Sequence, residues 1–113
     1  MSRQRDLQQL ATLAQLVLDH RLGQLRKGTA ELEKSRGQLD AINAAATPAD
    51  LPPVAAGLVE VGYRRWADIR RAELNSVIAR QRAAVIEMKA EAGTAFGRLQ
   101  ALRGVAERSG KKP

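Results

Sequence analysis

Between Tyr63 and Ala106 the apolar positions fall into two rows, and no proline interrupts them. Leu74, Met88, Ala95 and Leu102 recur on one heptad position. Ile78, Val85, Ala92, Leu99 and Ala106 recur four residues further on, and Gln81 alone breaks the pair of rows. Two apolar positions in every seven make a coiled-coil seam, narrower than the stripe of a helix sunk in a globular core. Such a seam needs a second helix to cover it.

The first part of the chain offers one. Leu18, Leu25, Leu32 and Leu39 are each seven apart, with Leu22 four after Leu18 and Ile42 three after Leu39. Upstream, Leu7, Leu10, Ala14 and Val17 form an apolar track in a different phase, so a stutter is expected near Val17 and Leu18. The companion positions Thr29 and Arg36 are polar. Gly28 and Gly37 each lower helix propensity by about 1 kcal/mol relative to Ala, which makes residues 26–36 the weakest stretch of this helix taken alone. Pro48 and the Pro52-Pro53 pair end the pattern, and Asp50 is placed to cap the second helix. A break this short favours antiparallel neighbours. The expected fold is all-α: two long helices in an antiparallel coiled-coil hairpin, able to dimerise into a bundle. Helix one spans about 3–45, a Pro-rich turn 46–53, helix two about 51–108, and a frayed tail 109–113. The second helix is the longer, so part of its seam overhangs.

Composition agrees with a thin seam. Aromatics make up 3% of 113 residues, and the apolar content is dominated by the good helix formers Ala and Leu. No alternating, strand-like run is present. The N-terminus lacks the apolar core of a secretory signal, and no apolar run approaches the ~20 residues that span a bilayer, so no membrane insertion is expected. There is no cysteine and His20 is the only histidine, which removes disulfides and leaves a zinc site without a ligand set. Gly110-Lys111 lacks the spacing of a phosphate loop. The carboxylates Glu31, Glu33, Glu87 and Glu91 read as solvated helix faces and intrahelical pairs. No catalytic, cofactor or metal residues are assigned, and an enzyme is not expected.

Charge changes the picture more. The formal net charge is +7, and residues 58–113 carry twelve basic against six acidic groups. Such an excess invites an anionic partner. Nucleic-acid binders concentrate their charge, whereas here Glu73, Glu87, Glu91 and Glu107 interrupt Arg80, Arg82, Lys89, Arg98 and Arg103. A basic nucleic-acid-associated or regulatory coiled-coil dimer is therefore the alternative reading. The densest local feature is Tyr63-Arg64-Arg65-Trp66, continued by Arg70 and Arg71. Trp, Tyr and Arg are the types most enriched at binding hot spots. Two readings of this run stand open. It is a docking surface for a protein partner, or Trp66 and Ile69 cover the end of helix one while the arginines are solvated. Leu7, Leu10, Leu13 and Leu16 are richer in leucine than one thin partner helix requires, which points to a further chain.

The Leu-rich first helix, the short proline break, the aromatic-basic start of helix two (Tyr63, Arg64, Arg65, Trp66) and the Arg-rich run through Arg80, Arg82 and Arg98 to Leu99-Gln100-Ala101-Leu102-Arg103 together resemble the FliJ/YscO type of flagellar and type III secretion ATPase stalk protein. The chain is shorter than that family's pattern, and its first helix holds more glycine. The resemblance implies a non-enzymatic coiled-coil stalk component of a bacterial flagellar or type III protein-export ATPase complex. It implies the export ATPase ring, the export gate and chaperones as partners. It also implies a cytoplasmic location, peripheral to the inner membrane through the export apparatus. On it, the segments near Leu7–Val17 and Leu99–Ala106, with Arg98 and Arg103, enter the ring. The face of Tyr63, Arg64, Arg65, Trp66 and Arg70 meets the gate.

Overall fold

Two helices, α1 (Ser2–Ala44) and α2 (Pro53–Gly110), account for all regular structure in the computed structural model, which describes residues 2–45 and 52–110. The expected Pro48 break and Asp50 cap lie outside the described residues. Pro53 opens α2 at the position where its missing N–H costs nothing, and the Pro52 carbonyl accepts the first turn's bond from Ala56 N–H at 2.7 Å. α1 and α2 run antiparallel and pack on one another, so the chain adopts the all-α hairpin that its apolar rows predict.

The seam of α2 is the one read from spacing: Leu74, Val85, Ala92, Ala95, Leu99 and Ala106 are buried, and Ile78, Gln81, Met88 and Leu102 are half-buried. That of α1 differs from expectation. Its inward positions step by three and four without a break, from Gln4, Leu7, Ala11, Ala14 and Leu18 to Leu39 and Ile42. There is no stutter at Val17. Leu10 and Val17 lie on the flank of the helix, exposed. The companion row also sits three residues after each leucine rather than four: Arg21, Gly28, Ser35 and Ile42 face inward, while Thr29 and Arg36 are exposed. Hydrophobicity misplaces this row because only one of its last four occupants is apolar.

Contacts group the chain into two units. In the first, formed by residues 2–29 and 84–110, Leu18, Ala95 and Leu99 make the core, with Ala11, Ala14 and Leu22 packed against it. Alanine on both helices brings the backbones close, and Leu99 is only 2% exposed. Gly28 is part of this packing: a Cβ there would come within 2.6 Å of Met88 Sδ. The glycine that weakens α1 in isolation is the socket for a methionine of α2. Arg21 Nη1 bridges to Glu91 Oε2 at 3.0 Å, and Arg103 Nη2 donates to Gln15 Oε1 at 2.9 Å. Ser109 and Gly110, expected to fray, belong to α2, and Gly110 lies against the Gln4 side chain. Lys111–Pro113 lie outside the described residues.

In the second unit, within residues 30–83, Ile42, Ala67 and Leu74 form the core with Leu39 and Tyr63 at its edge. Two polar groups sit in this seam. Ser35 is buried and donates its hydroxyl to the Glu31 carbonyl of its own helix at 3.3 Å. The Oε1 atom of Gln81 is buried with no hydrogen-bond partner among the described residues. A polar group inside a heptad seam lowers stability and favours one register over its neighbours.

Candidate functional site

The residues singled out from the sequence fall into two groups. Tyr63, Arg64, Arg65, Trp66 and Arg70 belong to the second unit, and Arg98 and Arg103 to the first.

In the second unit, α1 stops at Ala44 with no basic side chain in its last turn to meet the terminal carbonyls. Those carbonyls lack intrahelical donors and need others. Tyr63 supplies one: its hydroxyl donates to the Ile42 carbonyl at 2.7 Å while its ring closes the Ile42–Ala67–Leu74 core. Arg71 Nε adds a bond to Asn43 Oδ1 at 2.8 Å. Tyr63 is therefore a capping and core residue. Trp66 is not: its ring lies tilted against Tyr63 with centroids 5.7 Å apart, yet the residue is 53% exposed, and Ile69 is exposed as well. Neither covers the end of α1. The structure thus divides the two readings of this run residue by residue, with Tyr63 turned inward and Trp66 outward.

The arginines here are mostly engaged along their own helix. Arg64 pairs with Glu60, Arg70 with Glu73 at 3.0 Å, and Arg71 with Asp68 at 3.2 Å. Exposed pairs of this kind contribute at most about 1 kcal/mol each. Their effect here is to neutralise the run. Arg65 is exposed and has no ion pair among the described residues.

In the first unit, Arg98 is exposed at the rim of a groove of about 220 Å³ formed by Leu13, Ala14 and Val17 of α1 and Ala95, Arg98 and Leu102 of α2. A neighbouring hollow of about 270 Å³ shares Val17, Ala95 and Arg98, and Arg21 and Glu91 form part of its polar wall. Leu10 and Leu16 extend the apolar surface along α1, and both are about half exposed. Of the leucines in surplus, Leu10, Leu13 and Leu16 lie on this surface and Leu7 faces inward. Arg103 is held by Gln15 across the seam, so it braces the two helices as well as presenting charge. His20 is exposed.

A further apolar surface has no counterpart in the sequence reading. Val54, Leu58 and Val61, in the first turns of α2, are strongly exposed. Their spacing of four and three is the signal that marks them, and the longer inward rows of the same helix mask it. Among the described residues no three His, Cys, Asp or Glu side chains gather into a metal-binding set, and no helix is long and apolar enough to cross a membrane. Comparison with family models, curated proteins and solved structures finds no match.

Proposed function

We propose that the protein is a non-catalytic helical-hairpin docking element whose first unit, carrying both ends of the hairpin, seats against a larger assembly. The observation that carries this reading is the exposed apolar strip Leu10, Leu13, Leu16 and Val17 beside the Leu13–Leu102 groove, with Arg98 at its rim. A half-exposed aliphatic side chain gains roughly 1 kcal/mol on complete burial, so covering these four contributes roughly 4 kcal/mol to association. Contiguous apolar surface rimmed by charge is the usual mark of a protein interface. The specific assembly follows from the resemblance: the ring ATPase of a bacterial flagellar or type III export apparatus, with the hairpin as its stalk in the cytoplasm, peripheral to the inner membrane. The exposed Trp66 then remains for the export gate or a chaperone.

The test is the steady-state ATPase rate of the export ATPase from the same genome, with and without this protein. Stimulation is expected. It should fall for Arg98→Glu and for the Leu13→Ser/Val17→Ser pair, with helicity by circular dichroism unchanged. A rate indifferent to the native protein would sink the stalk reading. Retained binding to a generic DNA duplex, lost steeply as salt is raised, would move the assignment to a nucleic-acid partner.

A further inference from the structure

The outer face of α2 in the second unit carries a second heptad pattern. Val54, Leu58, Val61, Arg65, Asp68 and Ala72 step by four and three, and at 3.6 residues per turn they fall in a stripe about 80° wide. The stripe is centred roughly 160° around the helix from the seam positions Tyr63, Ala67 and Leu74, so it faces away from α1. Every residue in it is exposed, with Val54 at 77%, Leu58 at 71% and Val61 at 59%. A heptad-spaced stripe on the side opposite the intramolecular seam, apolar at Val54, Leu58 and Val61 and charged at its middle, suits another helix.

The composition of the stripe identifies that helix. Its apolar half is N-terminal (Val54, Leu58, Val61). Its C-terminal half is small or polar (Ala72, Asn75 and Ala79). Arg65 and Asp68 stand at the middle. Two copies laid antiparallel about a two-fold axis between Trp66 and Ala67 bring Val61 onto the partner subunit's Ala72 and Val54 onto the partner subunit's Ala79. The same operation brings Arg65 onto the partner subunit's Asp68, twice. Leu58 falls on the partner subunit's Asn75. The two valines therefore meet alanines, and each cation meets an anion. Parallel in-register pairing stacks Arg65 on Arg65 and Asp68 on Asp68, and is disfavoured. The two central groups have the capacity required. Arg65 makes no ion pair among the described residues, and Asp68 uses Oδ1 for Arg71 and keeps Oδ2 free of a protein donor. The neighbouring Arg64 and Arg70 are already paired within α2.

We infer that the outer stripe of α2, residues 54–79, is an isologous dimer interface whose occupant is a second copy of this chain in antiparallel orientation, registered by reciprocal Arg65–Asp68 ion pairs. The isologous geometry is what a cyclic dimer requires: the same patch on both subunits, complementary to itself.

Sedimentation equilibrium of the full chain tests this. The native protein should show a concentration-dependent dimer. Arg65→Asp and Asp68→Arg should each weaken the dimer at least about tenfold, since like charges are then juxtaposed at the axis. The double variant Arg65→Asp/Asp68→Arg should recover most of the native affinity, because the pair is restored with its sense exchanged. Leu13→Ser/Val17→Ser, in the other unit, should leave the dimer intact. Circular dichroism of each variant separates lost pairing from lost folding. Three outcomes overturn the inference: a native chain that stays monomeric at every concentration; a dimer unmoved by Arg65→Asp; or a well-folded double variant that does not dimerise. A monomeric native chain that instead binds anionic vesicles or a different protein through Leu58 likewise overturns it, since the stripe then has another occupant.

Discussion

Tyr63→Phe separates a capping residue from a docking residue with a change of one atom. The tyrosine hydroxyl reaches the Ile42 carbonyl at 2.7 Å, a short hydrogen bond at the end of a helix that has no basic side chain in its last turn. Phenylalanine keeps the ring against Ile42, Ala67 and Leu74 and keeps its tilted contact with Trp66, so packing is unchanged and only the bond is removed. A hydrogen bond of this kind contributes about 1 kcal/mol net. The Ile42 carbonyl retains a longer bond from Ala45 N–H at 3.4 Å, which limits the penalty of an unsatisfied acceptor. The expected loss is therefore about 1 kcal/mol, or about 4 °C in melting temperature for a chain of this size. Tyr63→Ala removes the ring as well and should cost about 3 kcal/mol, the low end for deleting a large aromatic, because Tyr63 is only half-buried. Urea titration followed by circular dichroism gives both numbers. Hydrogen exchange gives the location, with protection lost first at the amides of residues 42–45. If Tyr63→Phe melts like the native chain and those amides stay protected, Tyr63 does not cap α1, and its residue type has to be explained by a partner.

The same packing sets four further expectations. Leu74→Ala and Leu99→Ala, each at a 2% exposed position, should cost about 3 kcal/mol apiece, whereas Leu16→Ala on the exposed strip should stay within about 0.5 kcal/mol; paired urea melts read the contrast. Gln81→Leu should stabilise the hairpin by about 1 kcal/mol, because it removes a buried oxygen without a partner, and a melting temperature that falls instead would show that the amide is satisfied in solution. Gly28→Val should destabilise by about 1 kcal/mol, the low end for overpacking because the flexible end of Met88 can shift, and the double variant Gly28→Val/Met88→Ala should show a non-additivity that melts of the single and double variants measure. Glu91→Gln should cost less than about 1 kcal/mol, since both members of the Arg21–Glu91 pair are over a third exposed.

How much of this is legible in the residues varies from helix to helix. The seam of α2 is written in leucine, isoleucine, valine and alanine at constant spacing, and periodicity alone places it. The seam of α1 is not, because half of its inward positions in the middle of the helix are filled by Arg21, Gly28 and Ser35. Each has a reason that lies on the other helix or in a local bond. Arg21 reaches Glu91, Gly28 accommodates Met88, and Ser35 satisfies itself on the Glu31 carbonyl. A pattern of hydrophobicity cannot register a position selected for small volume or for a distant carboxylate. The same limit explains the candidate sites. The surplus leucines of α1 are readable as unmet apolar surface, and Leu10, Leu13 and Leu16 are exposed, whereas Leu7 faces inward. That Tyr63 turns inward and Trp66 outward is not readable, because it depends on where α1 ends relative to α2. Arginine density suggests a basic surface, and side-chain geometry cancels much of it through Glu60, Asp68 and Glu73.

The Gly28–Met88 contact also bears on how the hairpin finds its alignment. Two heptad helices can slide past one another by seven residues and still present leucine to leucine, so a long antiparallel pair is prone to traps that differ only in offset. Here a slip of one heptad in either direction brings Arg21 or Ser35 to the place where Met88 finds only a hydrogen atom. Misaligned pairings are thus penalised sterically before the rest of the seam can close over them. Refolding from urea should accordingly show a single exponential phase in the native chain, and a second, slower phase should emerge when Met88 is shortened to alanine and the offset is no longer policed.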